Sequence, residues 1–309
     1  MSDPTQARIG HAERQLAAGN AKAAVETLKQ VLAADPQAPY PHALMAIALV
    51  AARRVHAAQT EAARALALNP NLPFSHYAMA EVRHAQIRFD SAEEHLNQAL
   101  ALDPNMVHAR VHLAEIYVLR AERGRARTEL RAALGVEPNF HDALAALSRL
   151  DVDEGDLESA DFRLRGILAE DPMHAGATIT MGHLLLQRGD IEGARQHAVV
   201  VIQRDPGSDG ALHLLSNLKA RQNPVLGAWW RYSVWIQRRG ESGQIAILLG
   251  AFIVYRVLLA FAQNSGNQPL ESVVVAVWVL IVAYSWFAPA MFKWLVEREM
   301  GDVQLKRDF

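Results

Sequence analysis

Residues 92–138 read AEEHLNQALALDPNMVHARVHLAEIYVLRAERGRARTELRAALGVEP, and the spacing inside this stretch decides the fold. Ala92 stands 12 residues before Pro104, Ala126 stands 12 before Pro138, and Ala114 stands 24 before Pro138. Between these marks the apolar residues recur at steps of three and four, as in Leu96, Ala99, Leu100 and in Leu113, Ile116, Tyr117. That period argues amphipathic helix. The small residues let two antiparallel helices approach closely. Proline then ends the second helix, because it has no N–H to donate and disfavours helix in the residue before it.

The same marks extend along most of the chain. Pro36, Pro70, Pro104, Pro138, Pro172 and Pro206 lie 34 residues apart, each after Asp, Asn or Glu. Ala24, Ala58, Ala92, Ala126, Ala160 and Ala194 keep the same step, and so do Ala12, Ala46, Ala80, Ala114, Ser148 and Gly182. Each unit divides near its middle, in three units at a glycine (Gly19, Gly155, Gly189). One such hairpin cannot bury its apolar face alone, so neighbours must stack. The unit bounds read 5–38, 39–72, 73–106, 107–140, 141–174 and 175–208, with 209–222 (Leu212, Leu215, Leu218) as a capping helix.

With the proline, the central alanine and the small residue in all six units, the chain resembles the tetratricopeptide repeat family over residues 5–208. The resemblance implies an all-α, right-handed superhelical solenoid. One departure is the family's aromatic early in the first helix, replaced here by Arg8, His42, His76, Arg110, Leu144 and Thr178. Looser packing is expected at those corners. The aromatic midway survives only as Tyr117.

The resemblance also implies a groove, lined by the first helices, that holds an extended peptide or a partner helix. Carried over position by position, its lining is Tyr40, Phe74, His108 and Asp142; Ile9, Ala43, Tyr77 and Val111; and Glu13, Ile47, Glu81 and Glu115, with His84 a turn beyond. The lysines and asparagines with which some family members clamp a C-terminal carboxylate are missing at these positions. An aromatic and aliphatic centre rimmed by carboxylates suits a partner with apolar anchors and basic residues.

The last third has a different composition. All six tryptophans lie there, and residues 243–262 and 272–292 are two mostly apolar runs, each near the length that spans a bilayer as helix. The loop 263–272 between them carries no Lys or Arg, whereas Lys219, Arg221, Arg231, Arg238 and Arg239 precede the first run and Lys293, Arg298, Lys306 and Arg307 follow the second. By the positive-inside rule both ends are expected on the cytoplasmic side, which for a bacterial chain means an inner-membrane hairpin with a tail at 293–309. Residues 223–240 place Trp229, Trp230, Tyr232 and Trp235 beside Arg231, which reads as an interfacial helix. Two readings stand for Arg256 inside the first run: a side chain that snorkels or meets Tyr284 or Ser285, and an interhelical or partner contact.

The chain has no cysteine, which excludes disulfides and thiolate chemistry. A net charge of −2 leaves no electrostatic footprint for nucleic acid. Met1–Asn20 lacks the apolar core of a signal peptide, so none is expected. His108, His112 and Glu115 form a weak metal-ligand pattern on one helix, without the glutamate a metalloprotease helix needs after its first histidine. No phosphate loop or nucleophile elbow is present. The expectation is a non-enzymatic, cofactor-free adaptor tethered to the bilayer that recruits or assembles a protein partner. Its rivals are a stable structural subunit of a larger membrane complex, a metal- or haem-handling assembly factor, and self-association.

Overall fold

In the computed structural model the described residues are 4–205, 207–222, 240–264, 269 and 271–279. Among them every regular element is helical. Thirteen helices follow the repeat pattern: α1 (Pro4–Ala17), α2 (Ala21–Ala34), α3 (Pro39–Ala51), α4 (Val55–Leu68), α5 (Pro73–Ala85), α6 (Phe89–Leu102), α7 (Val107–Leu119), α8 (Arg123–Val136), α9 (His141–Glu154), α10 (Leu157–Glu170), α11 (Ala175–Arg188), α12 (Ile191–Arg204) and α13 (Asp209–Gln222). A further helix, α14, spans Gly240–Asn264, and residues 271–279 are helical. The chain divides into two compact units, Met1–Thr180 and Met181–Phe309.

In the first unit each small-residue mark sits where two helices cross. Ala24, Ala58, Ala92, Ala126 and Ala160 are fully buried, as are Ala12, Ala46, Ala80 and Ser148. Leu28, Leu96, Leu130 and Leu164, one turn after the central alanine, fill the space between hairpins. The even helices bury one stripe, such as Ala58, Ala62 and Ala65 of α4, whereas α3 and α7 bury residues on several faces. An odd helix therefore packs between its own partner and the next repeat, while an even helix keeps one side in water.

Two turns recur with the same chemistry. The helix-ending Asp35, Asn69, Asp103 and Asp171 each accept the N–H two residues on at 3.0 Å, an Asx turn that bends the chain towards the next repeat. This explains the Asp or Asn before these prolines; Glu137, before Pro138, makes no such bond among the described residues. The mid-repeat turn needs a left-handed residue, and Gly19 and Gly155 supply it with φ of +75° and +90°. In the second, third and fourth repeats Arg53, Ile87 and Ala121 occupy the same place at φ of +60°, +61° and +62°. Asn20 and Asp156 cap the helix that follows with a side-chain oxygen, whereas Arg54, Arg88 and Glu122 make no such bond.

Three of the six corners expected to be loose are closed by polar clamps. His42 Nε2 lies 3.0 Å from Pro36 O and its Nδ1 lies 2.5 Å from Glu61. His76 spans Pro70 O at 2.9 Å and His95 at 3.3 Å. Arg110 donates to Pro104 O and Glu129, both at 2.9 Å. A planar donor thus replaces the aromatic ring, filling the corner while capping a carbonyl the proline turn leaves unpaired. Tyr117 keeps its ring: the Arg125 guanidinium lies 3.9 Å from the ring centre and the hydroxyl donates to Glu93 at 2.9 Å. Burial and the Glu93 carboxylate push this phenol up to about 12.

In the second unit α12 and α13 pack through Ala194, Ala198, Val201, Ala211, Leu214, Leu215 and Leu218. Leu212, expected on the buried stripe of α13, is only half-buried; Leu214 takes its place. A Cβ at Gly182 would stand 2.3 Å from Leu214, so the glycine sets that approach. Arg221 donates to Leu186 O at 2.8 Å near the end of α11.

Near the C-terminus, Tyr255 stacks on Trp278 with ring centres 4.6 Å apart, and Gln263 donates to Glu271 at 3.1 Å. Phe252, Ile253, Val254, Val257, Leu258 and Phe261 of α14 are exposed, and so is Arg256. Among the described residues no helix is long and apolar enough to cross a membrane. The side chains described in α14 are those of residues 252–264, roughly 20 Å of helix. The expected interfacial helix with Trp229, Trp230, Arg231, Tyr232 and Trp235, the second expected span from residue 280 onward, and the tail lie outside the described residues.

Candidate partner-binding site

The face lined by the odd helices of the first unit carries a run of aromatic rings. Tyr40 and Phe74 have ring centres 4.7 Å apart, Phe74 and Tyr77 5.9 Å, Tyr77 and His108 6.4 Å, and His108 and Phe140 4.9 Å. The helical hand places the second and fifth residues of α5 on this side, and the 34-residue step brings α3, α7 and the entry to α9 alongside. At one end Tyr40 Oη donates to Glu13 at 2.6 Å. Burial, then this bond, raises the Tyr40 phenol.

A carboxylate–imidazole chain crosses the middle. Glu81 Oε1 lies 3.0 Å from His112 Nδ1, and His112 Nε2 lies 2.7 Å from His84 Nδ1. Burial pulls His112 down, but the Glu81 bond and charge, with Glu115, raise it overall. Burial would raise the Glu81 carboxyl, yet His112, the Tyr77 hydroxyl and His84 hold it below the usual range. His84 is pushed down by burial and by the His112 charge. The directions agree on one arrangement: imidazolium at His112 is ion-paired with the Glu81 carboxylate on one side and donates to a neutral His84 on the other.

Glu115, one turn beyond Val111 on α7, differs from Glu81. It forms no hydrogen bond or ion pair among the described residues, and its carboxyl is raised by burial and by Glu81 and Asp142, against the pull of His112 and Arg149. Tyr77, raised well above the ordinary phenol by burial and by Glu81, Glu115 and Asp142, registers the same negative field. Asp142 lies 3.1 Å from His174 Nε2, a contact that lowers the aspartate and raises the histidine.

The structure thus gathers Tyr40, Phe74, Tyr77, Glu81, His84, His108, Glu115 and Asp142 along one face. Ile9, Ala43 and Val111 turn instead into the core, with Ala43 fully buried, while Ile47, like Tyr40 and Phe74, is partly buried against it. The weak metal-ligand pattern does not close. His112 is spent on Glu81 and His84, His108 on ring contacts, and among the described residues no group of three His, Asp or Glu side chains could hold a metal ion. Phe140, Arg149 and His174 join the site without having been singled out in the sequence. Phe140 caps the start of α9 and so closes one repeat by sequence while lining the next in space.

The family model described as tetratricopeptide repeat matches residues 15–82, 84–150 and 151–221, more than half of the chain. No curated protein sequence matches it. Among solved structures, a thermophilic tetratricopeptide repeat protein of Thermus thermophilus superposes with a TM-score of 0.53 at 20% identity, over 59% of this chain and 99% of that one. PilW, described as a type IV pilus biogenesis factor, gives 0.50 at 17% identity, over 70% and 100%. The APC/C hetero-tetramer Cut9–Hcn1 gives 0.61 at 12% identity, over 92% of this chain and 54% of that one. At these identities the likeness is one of fold.

Proposed function

Because the chain belongs to the tetratricopeptide repeat family, we propose that it is a non-catalytic, membrane-tethered scaffold whose odd-helix face holds a partner segment bearing an apolar anchor beside a lysine or arginine. Proteins of this family mediate protein–protein interaction and complex assembly. The observation that carries the finer reading is Glu115, a half-buried carboxylate without an ion-pair partner among the described residues, whose charge acts on Tyr77 in the middle of the ring run. A raised carboxyl among other acids gains from a cation that reaches it, and the rings gain from an apolar side chain that covers them.

The tether rests on the two apolar runs and the distribution of Lys and Arg around them. The exposed Phe252, Ile253, Val257, Leu258 and Phe261 of α14 support it, since a contiguous apolar surface of this kind suits lipid better than water. Such a tether keeps the face near other membrane proteins, raising its effective concentration there. The same apolar surface also suits a permanent place in a larger membrane complex, in which case the chain would copurify in fixed stoichiometry after detergent washing.

The test is site-specific photocrosslinking in native membranes from Phe74 and Tyr77, with the captured segment identified. The expected product is a peptide with a basic residue next to a large apolar one, and its yield should fall about tenfold or more in Glu115→Lys. Capture that is indifferent to Glu115→Lys, or that delivers only acidic segments, would sink this reading.

A further inference from the structure

The fifth repeat departs from its neighbours where α9 faces α10. The second, third and fourth repeats each answer the carbonyl of their ladder proline with a donor six residues later, namely His42, His76 and Arg110. In the fifth repeat that position is Leu144, and Pro138 O accepts no hydrogen bond among the described residues. The residue opposite the clamp also changes. Glu61, His95 and Glu129 become Arg163, which pairs with Asp151 and lines the space beside Leu144.

Two more replacements open the space. Phe162 stands where the other three repeats have Thr60, Glu94 and Thr128, and it is 81% exposed. Gly166 stands where they have Arg64, Gln98 and Ala132, and a Cβ added there would meet nothing within 4 Å. The result is a pocket of about 560 Å³ whose lining includes Pro138, Leu144, Phe162 and Ile167 together with the polar Arg163 and Glu170.

We propose that this pocket is a second docking site, separate from the odd-helix face, and that it receives a tryptophan side chain of a partner protein. Leu144, Ile167 and Phe162 ask for a large apolar group, and Phe162 offers a ring face to stack against. The open carbonyl asks for an N–H donor. The cationic donors used by the other repeats are unsuited, because each sits near an acceptor that is here Arg163, with Arg165 also on the pocket wall. Glu170 is already engaged by His141 at 3.0 Å. An uncharged aromatic ring with one N–H and no acceptor meets all three conditions, and the indole of tryptophan is that group. A partner thereby supplies in trans the clamp that the fifth repeat lacks.

The experiment uses the full chain in detergent micelles, with 4-fluorophenylalanine at position 162 observed by fluorine NMR. N-acetyl-tryptophanamide should shift the signal saturably. Its 1-methylindole derivative, which has lost the N–H, should bind about fivefold to tenfold more weakly, and N-acetyl-leucinamide and N-acetyl-argininamide more weakly still. Gly166→Leu grows a side chain into the pocket at an open, helical site, so it should abolish the response while the melting temperature holds or rises. Equal responses to the indole and 1-methylindole probes, no saturable shift, or an unchanged response in Gly166→Leu would each overturn the proposal. A signal that instead moves with protein concentration alone would overturn it too, by assigning the pocket to a second copy of this chain.

Discussion

Ile87 turns the third repeat with φ of +61°, a conformation that crowds a β-branched side chain against its own backbone, and it does so 75% exposed. Gly19 and Gly155 make the same turn freely. Ile87→Gly is therefore expected to raise stability by about 1 kcal/mol, read as a higher urea midpoint. A lower midpoint would mean that the exposed isoleucine contributes more than the strain costs. A second residue-scale prediction concerns His112. Its raised value contributes stability that is complete below the ordinary histidine value of about 6.5 and is lost as pH rises through the folded value. The lowered Glu81 acts at the other end: its contribution holds above the ordinary carboxylate range and fades as pH falls below it. His84, held low, opposes the pair as pH falls below about 6.5. With Tyr77, Glu115, Asp142 and Arg149 common to both proteins, wild type should exceed His112→Gln in stability by more near pH ~6 than near pH ~9. Parallel stability–pH curves would refute the imidazolium assignment.

Helices of 13 or 14 residues are marginal alone, so each element here exists because its neighbours bury it. Leu130 shows how local that dependence is. It is fully buried one turn after Ala126, and Leu130→Ala should cost about 3 kcal/mol in the urea transition, the middle of the range for a buried leucine. The clamps work at the same scale. Arg110→Leu deletes the bonds to Pro104 O and Glu129 and rebuilds the corner that the fifth repeat has by nature. An expected loss of about 1–2 kcal/mol follows from leaving that carbonyl and carboxylate without their donor. No change would mean water serves them equally well. The repeats that carry these clamps, the second to the fourth, are also the ones whose turns lack both the glycine and the side-chain cap. They are the repeats that line the ring run as well, so local compromise coincides with the surface that carries the candidate site.

At the scale of the whole molecule, a repeat array is stabilised between neighbours, and its far end must stop without leaving an apolar face open. In the second unit α13 does this with Leu214, Leu215 and Leu218 on one side and a polar opposite face. Beyond it, the membrane reading makes one expectation of its own. Reporter fusions at Gly266 and after Phe309 should fall on opposite sides of the membrane; the same side for both would remove the hairpin. The chain by itself determined the repeat, its 34-residue step, the helix ends and the family, because those follow from periodicity and from proline, glycine and alanine at fixed intervals. Only the tertiary structure decided which groove positions offer surface. Ala43 and Val111 share a register position with Tyr77, yet packing buries the first two and leaves the ring on the face. It alone joined Phe140, His174 and Arg149 to the site, turned three of the expected loose corners into clamps, and separated Glu115 from the paired Glu81. Burial and pairing are set by residues from other repeats, and a linear pattern records spacing along the chain, not the neighbours that folding brings across it.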